Sequence, residues 1–493
     1  MNNLLAFPMI LPVVVGVLLI FVRNYPTIQR LASVVTAGVV LIISGFVLSD
    51  IQQNGIQTLH YGGWTAPFGI TFVADSFAML LVATASFISM ICILYASFIK
   101  DGNREHYYLY TFMLLLLAGV NGSFMTGDLF NLFVCFEVML LASYALMTLG
   151  GEKRQLREGL TYVLVNILSS WLFLLGIAYV YGTLGTLNFA HLSERIAEVG
   201  QPPLLTVIGI LFLVVFSIKS GLVLYFWLPG SYSAVPTAVS AMFAALLTKV
   251  GVYALFRTFT LLFYHEPQVT HTLITWMAIA TLIGGSVGAL AYKDIRQIAA
   301  YNVIIAIGFI LAGLAANTTA GIEGAIYYLV HDIAVKGLLF LLVGTIIYLT
   351  GQHALNKVSG LMTTYPLLGW IFFITVLSLG GIPPLSGFPG KFLIGQGAVS
   401  AGEYVLVFAA FASSLAVVYS LLRIFINMFF GEITIQKANQ KPLSKRLMIP
   451  CMILGVFTVG LGLGMEGISP YVSSAAEVLM NPEIYIEGVL TND

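Results

Sequence analysis

The chain is a succession of long apolar runs separated by short charged loops, and that spacing constrains its fold more than any other feature. A helix needs about 20 apolar residues to cross the hydrocarbon core of a bilayer. Runs of that kind fall near 3–22, 29–49, 71–99, 107–122, 128–149, 158–182, 203–228, 237–263, 270–292, 297–316, 321–350, 365–398, 403–430 and 447–467. They predict an all-α polytopic membrane protein of about 14 transmembrane helices. Composition agrees: 9% of the 493 residues are charged, against about a quarter in a soluble domain. So few charges cannot cover a soluble surface, and lipid is the solvent instead. The first run, Leu4 to Val22, has no basic region before it, so it reads as a span rather than a cleaved leader. Net charge is zero, which gives no reason to expect a nucleic-acid partner. Cys92, Cys135 and Cys451 are widely spaced and read as packing residues.

Lysine and arginine provide an independent test of the topology. With both termini outside, the inside loops hold Arg23, Arg30, Lys100, Arg104, Lys153, Arg154, Arg157, Lys293, Arg296, Lys357, Lys437, Lys441, Lys445 and Arg446. The outside loops hold only Arg195. This asymmetry follows the positive-inside rule, which a miscounted helix in the middle would scramble. The acidic tail, with Glu477, Glu483, Glu487 and Asp493, fits an outside C-terminus.

Two runs are interrupted. The seventh holds Lys219-Ser220-Gly221 and ends at Trp227-Leu228-Pro229-Gly230. The twelfth holds Gly380-Gly381-Ile382-Pro383-Pro384, then Gly387, Pro389 and Gly390 before Lys391. Glycine and proline weaken a helix, and broken backbone at membrane depth persists only where protein or a wet cavity satisfies it. The breaks lie five spans apart, so the second broken helix runs opposite to the first. Two inverted five-helix repeats follow as an expectation: 107–263 and 264–430, flanked by a three-helix segment at 1–106 and a helix and tail at 431–493.

Charges inside the runs carry the chemistry. Glu137 sits midway along the fifth span, Lys219 at the break of the seventh and Lys249 midway along the eighth. His331, Asp332 and Lys336 lie on the eleventh, and Lys391 follows the break of the twelfth. An ionisable residue at that depth costs several kcal/mol, on the order of 3 by insertion scales, and marks an ion path or a proton relay. Taking an ammonium out of water favours its neutral form, and a nearby carboxylate restores the charged one. A Glu137–Lys219 pair would therefore act as a switch, and half-helix carbonyls at the Gly221 break would favour the charged lysine. Asp332 and Lys336, four residues apart, share a helix face. A single buried lysine–glutamate pair often only holds helices together, but five spans each with a mid-depth charge make that reading weak. Arg257 and Arg423 lie near helix ends and are expected to snorkel to the interface as structural residues. Asp128 is expected to cap its helix or to be an entry-site residue rather than a midplane relay. The aromatics and glycines suit helices packing in lipid. The sequence has no metal-ligating cysteine cluster and no dinucleotide motif, so neither a metal nor a cofactor is expected.

These residues resemble the antiporter-like membrane subunits shared by respiratory complex I and the multi-subunit Mrp cation/proton antiporters. The most specific stretch runs from Trp227-Leu228-Pro229 through Pro236-Thr237-Ala238-Val239-Ser240-Ala241 to Lys249 and Gly251. Phe136-Glu137, Lys219, Asp75, Lys336 with Leu339-Phe340, and Lys391 match further family positions. The resemblance implies that Glu137, Lys219 and the central lysines move protons. Two departures stand out. A family histidine on the tenth span is Ala306 here, and the family histidine four residues before Lys336 is Asp332, with His331 beside it. The chain also stops soon after its last span, which places it nearer the Mrp branch.

The expected function is therefore proton translocation, by Glu137, Lys219, Lys249, His331, Asp332, Lys336 and Lys391, in a multi-subunit sodium/proton antiporter of the cell membrane. Its partners would be other membrane subunits, protons, sodium and the lipid bilayer, with the sodium route in this chain or a neighbour. One rival is a proton-pumping subunit of a complex I-type assembly, whose redox chemistry lies in other chains. The other is a non-transporting scaffold.

Overall fold

The computed structural model describes residues 2–99, 102–433 and 443–490; Lys100, Lys437, Lys441 and Asp493 of the charge pattern above lie outside the described residues. The first helices are α1 (Phe7–Phe21), α2 (Pro26–Asn54), α3 (Ser76–Ile99), α4 (Gly102–His106), α5 (Leu109–Met125), α6 (Leu129–Thr148) and α7 (Lys153–Leu184). Next come α8 (Phe189–Val199), α9 (Pro203–Ser220), α10 (Leu228–Ala234), α11 (Thr237–Arg257), α12 (Pro267–Ala291), α13 (Ile295–Ala316) and α14 (Thr319–Thr350). The last are α15 (Leu361–Thr364), α16 (Pro366–Gly380), α17 (Gly387–Ser400), α18 (Tyr404–Phe429), α19 (Lys445–Leu463), α20 (Met465–Met480) and α21 (Pro482–Leu490). Among the described residues, twelve helices are long and apolar enough to span a membrane, and α5 and α16 are shorter apolar helices.

Helix ends follow local chemistry. α2, α9, α12 and α16 start at a proline, whose fixed φ suits the first turn and whose missing N–H costs nothing there. α7, α9, α14 and α16 stop at left-handed glycines Gly185, Gly221, Gly351 and Gly381. Asp128 caps α6 by accepting from Asn131 N at 2.7 Å. Burial then sorts the helices: the apolar window of α11 is 100% buried, and that of α1 only 28%. α3, α11, α13 and α14 form the centre, while α1, α2, α7, α18 and α19 present apolar faces outward.

The third helix begins at Ser76, not at residue 71. Thr71–Ala74 is a strand, β2, paired antiparallel with β1 (Gln57–His60). Asp75 ends the strand and caps α3, accepting from Ala78 N at 2.8 Å. The amphipathic α8 and the C-terminal α20 and α21 are further elements that the apolar runs did not mark. α20 packs on α3 and α14, and α21 on α8 and β1.

Both interruptions are real breaks. Gly221 (φ 80°) ends α9 and Gly381 (φ 81°) ends α16, and each chain restarts as a second half-helix, α10 and α17. The α9 break lies tight against α11 because residue 251 has no side chain. A Cβ on Gly251 would sit 2.6 Å from Ser220 N and 2.9 Å from Lys219 C. The two regions also echo each other elsewhere. α7 and α14 are each 32 residues long. Isolated bridges join Asp128 to Asn188 around α7 and Asp294 to Ala354 around α14, and both aspartates cap the next helix.

Candidate functional site

Three groups of polar side chains lie among the helices, all of their charged members buried except the half-buried Glu137. In the first, Glu137 of α6 and Lys219 of α9 meet through a residue the sequence did not single out. Lys219 Nζ donates to Ser170 Oγ at 3.1 Å, and Ser170 Oγ donates to Glu137 Oε1 at 2.5 Å. The Lys219 ammonium also lies 4.9 Å from the Phe136 ring centroid, within cation–π range. The expected Glu137–Lys219 switch therefore has three members, with a hydroxyl in the middle. Beside it is a cavity of about 10 Å³, lined in part by Asn166, Tyr162 and Lys219, close to the smallest space that holds one water.

The second group links α11 and α14. Lys249 Nζ lies 2.7 Å from Asp332 Oδ2, and Lys336 Nζ lies 3.5 Å from Asp332 Oδ1. Asp332 thus serves two ammonium groups, and it and Lys249 are 0% exposed. Lys249 also donates to the Ala244 carbonyl at 2.8 Å. The i, i+4 spacing of Asp332 and Lys336 produces the shared face the sequence implied. Lys249 comes from a different helix, and only the fold brings it in.

The third group surrounds the second break. Lys391 Nζ donates to the carbonyls of Leu379 (2.8 Å) and Gly380 (3.3 Å) and to Ser414 Oγ (2.9 Å). These are carbonyls left free where α16 stops. The carbonyl setting expected for Lys219 therefore occurs at Lys391, whereas the Ile218 carbonyl near Lys219 accepts from the Trp227 indole at 3.1 Å. His331 does not face the α11 lysine. Its Nδ1 lies 2.8 Å from Ser386 Oγ, which is 3.0 Å from Ser378 Oγ. His331 and Asp332 are neighbours in sequence, but a helix turns about 100° per residue, so they serve different groups. The Tyr328 ring touches both sides of this group, 5.1 Å from the His331 ring and 5.9 Å from Lys391 Nζ.

The tenth-span position named above, Ala306, is buried in α13. One turn before it, Asn302 donates to Ser420 Oγ at 3.2 Å. Arg257 departs from expectation. It is buried rather than snorkelling, and it forms an ion pair with Asp75. Arg423 does cap a helix end, donating to the carbonyls of Leu290 (2.8 Å) and Tyr292 at the end of α12. The serines at 170, 378, 386 and 414 gave no sequence signal by charge. Ser170 holds the place in α7 that Lys336 holds in α14, 17 residues after the first residue of each helix (170 − 153 and 336 − 319).

A cavity of about 290 Å³ opens at the start of α11, lined by Arg104, Glu152, Gln155, Ser240, Arg296 and Phe340 among others. Ser240 lies one turn before Ala244, whose carbonyl holds Lys249. Phe340 lies one turn beyond Lys336 on α14. The cavity thus ends about one helical turn from the second group.

A polytopic helical protein with broken helices and a row of buried charges is built as an ion carrier. The chain belongs to the NADH:quinone oxidoreductase/Mrp antiporter transmembrane family, whose pattern matches residues 126–416. It is 50% identical to the D subunit of the Na(+)/H(+) antiporter of Bacillus subtilis (strain 168), over 99% of this chain and 100% of that one. It is 46% identical to the protein of the same name from Alkalihalophilus pseudofirmus, over 99% and 100% of the two chains. A chain of the solved Mrp complex from Dietzia sp. DQ12-45-1b superposes with a TM-score of 0.93 at 28% identity, covering 99% of this chain and 100% of that one. Respiratory complex I from Thermus thermophilus contains a chain of the same fold: TM-score 0.77, 23% identity, covering 96% and 99%.

Proposed function

We propose that this chain is the proton-translocating membrane subunit of a multi-subunit Na+/H+ antiporter. Its row of buried Lys, Glu, Asp and His residues would carry the proton between waters. The observation that carries this reading is that the buried lysines share partners: one carboxylate serves two ammonium groups, and one hydroxyl links an ammonium to a carboxylate. Asp332 sits between Lys249 and Lys336, and Ser170 between Lys219 and Glu137. Such groups exchange a proton by small changes of partner, whereas a purely structural pair needs only one partner each. Glu137, Lys219, Lys249, His331, Asp332, Lys336 and Lys391 are the relay, and Ser170 joins them. The large cavity beneath Lys249 is the inner mouth of the path. Its position among the loops rich in Arg and Lys supports an inside location, with both termini outside and the chain in the cell membrane.

The paired breaks, the equal lengths of α7 and α14 and the paired bridges support inverted repeats at 107–263 and 264–430, between segments 1–106 and 431–493. Glu137 also speaks for partner subunits. It is half-buried on the stripe of α6 that exposes Phe130, Val134 and Leu141. A carboxylate facing hydrocarbon there would be costly, so a neighbouring membrane subunit covers it. Membrane vesicles without NADH test the function: addition of Na+ should drive proton movement. Proton movement that appears only with NADH would support the redox-pump alternative, and none under either condition would support the scaffold.

A further inference from the structure

Buried threonines inside the spans share one habit. Thr84, Thr281, Thr345, Thr375 and Thr458 each donate to the carbonyl four residues earlier, at 2.7 or 2.8 Å. That bond satisfies the hydroxyl without leaving the helix. Thr248 of α11 departs from the pattern. It is 0% exposed, yet its Oγ1 has no hydrogen-bond partner among the described residues. The cause is its neighbour. The carbonyl four residues before Thr248 is that of Ala244, and Lys249 Nζ donates to it at 2.8 Å. The same carbonyl accepts the Thr248 N–H in the ladder of α11. A carbonyl oxygen has two lone pairs, so both are taken and the hydroxyl is left out. The lysine reaches that far back because helical side chains lean towards the helix N-terminus. Its ammonium is held there by Asp332 Oδ2 as well, 2.7 Å away.

An unpaired buried hydroxyl destabilises the arrangement that contains it. Here it does so only while Lys249 occupies the Ala244 carbonyl. Once the ammonium leaves, a lone pair opens, and the Thr248 hydroxyl can take it from a rotamer common for helical threonines. The two side chains therefore compete for one acceptor. A relay needs each ammonium to change partner, and Thr248 makes that change easier for Lys249. We propose that Thr248 is a positioning residue for proton transfer: by trading places with Lys249 on the Ala244 carbonyl, it loosens the ammonium from the partners that hold it. This rests on the proton-path reading above. Thr248 acts through Lys249 and carries no proton of the relay itself.

The test uses the assembled complex in proteoliposomes, with Na+-driven proton flux and thermal unfolding measured on the same preparations. T248V keeps the shape of the side chain and removes the hydroxyl. It should unfold no lower than wild type, because no unpaired polar group remains. Its flux should fall about tenfold, because nothing replaces Lys249 on the carbonyl. T248S keeps the hydroxyl and loses a methyl. It should unfold at a lower temperature than T248V yet restore most of the wild-type flux. Stability and flux then move in opposite senses across the two variants, which a packing role alone does not produce. An assembled T248V complex with wild-type flux overturns the proposal, and so does a T248S complex as slow as T248V. Absence of flux in the wild-type complex would remove the underlying function and this role with it. A fast wild type beside a fast T248V removes only the role of Thr248.

Discussion

Replacing Ser170 with alanine isolates one oxygen atom in the first of the three polar groups. That oxygen accepts from Lys219 at 3.1 Å and donates to Glu137 at 2.5 Å, and no other side chain bridges the pair among the described hydrogen bonds. A hydrogen bond to a charged group contributes about 1.5–3 kcal/mol net. If the transfer between Lys219 and Glu137 loses that much support at its barrier, the rate falls about 10- to 150-fold, at about 1.4 kcal/mol per decade. The adjoining cavity of about 10 Å³ sets the lower end of the range, since a water entering the vacated space would restore part of the connection. Packing alone predicts far less, because alanine fills nearly the same volume. The assay is Na+-driven proton movement in vesicles, normalised to assembled complex. The reasoning is refuted if assembled S170A transports at the wild-type rate across the pH range.

Other perturbations have different signatures. D332N leaves Lys249 and Lys336 buried without their shared carboxylate, a loss of about 3–5 kcal/mol, so thermal stability of the complex should fall along with transport. K391A removes the donor to the Leu379 and Gly380 carbonyls; the second break should loosen, seen as faster amide exchange over residues 377–387, and transport should fall about tenfold or more. G251A places a Cβ 2.6 Å from Ser220 N; since the clash is with backbone, the α9 break must shift, and the variant should lose stability by about 1–3 kcal/mol as read by thermal unfolding.

The sequence made the long apolar spans legible because a bilayer imposes a length on every helix that crosses it. Both breaks were legible because Gly221 and Gly381 adopt a left-handed conformation that side chains oppose. The charged members of the site were visible for the same reason: charge at that depth has few bland explanations. What connects them was not. Ser170, Ser386 and Ser414 look like ordinary small residues in packed helices, and their roles depend on which helices abut. The Asp75–Arg257 pair was hidden because a residue near a helix end can either snorkel or turn inward, and only packing against Phe77 and Tyr485 decides. The strand at Thr71–Ala74 was absorbed into an apolar run because hydropathy does not separate a short buried strand from a helix.

The most direct test of the proton path is the Na+-driven proton flux of the purified, fully assembled complex carrying K249A. Lys249 joins α11 to the shared carboxylate on α14. A flux per assembled complex lowered about 100-fold or more is expected, the contribution of one positioned proton-transfer group. A K249A complex that moves protons at the wild-type rate would contradict it.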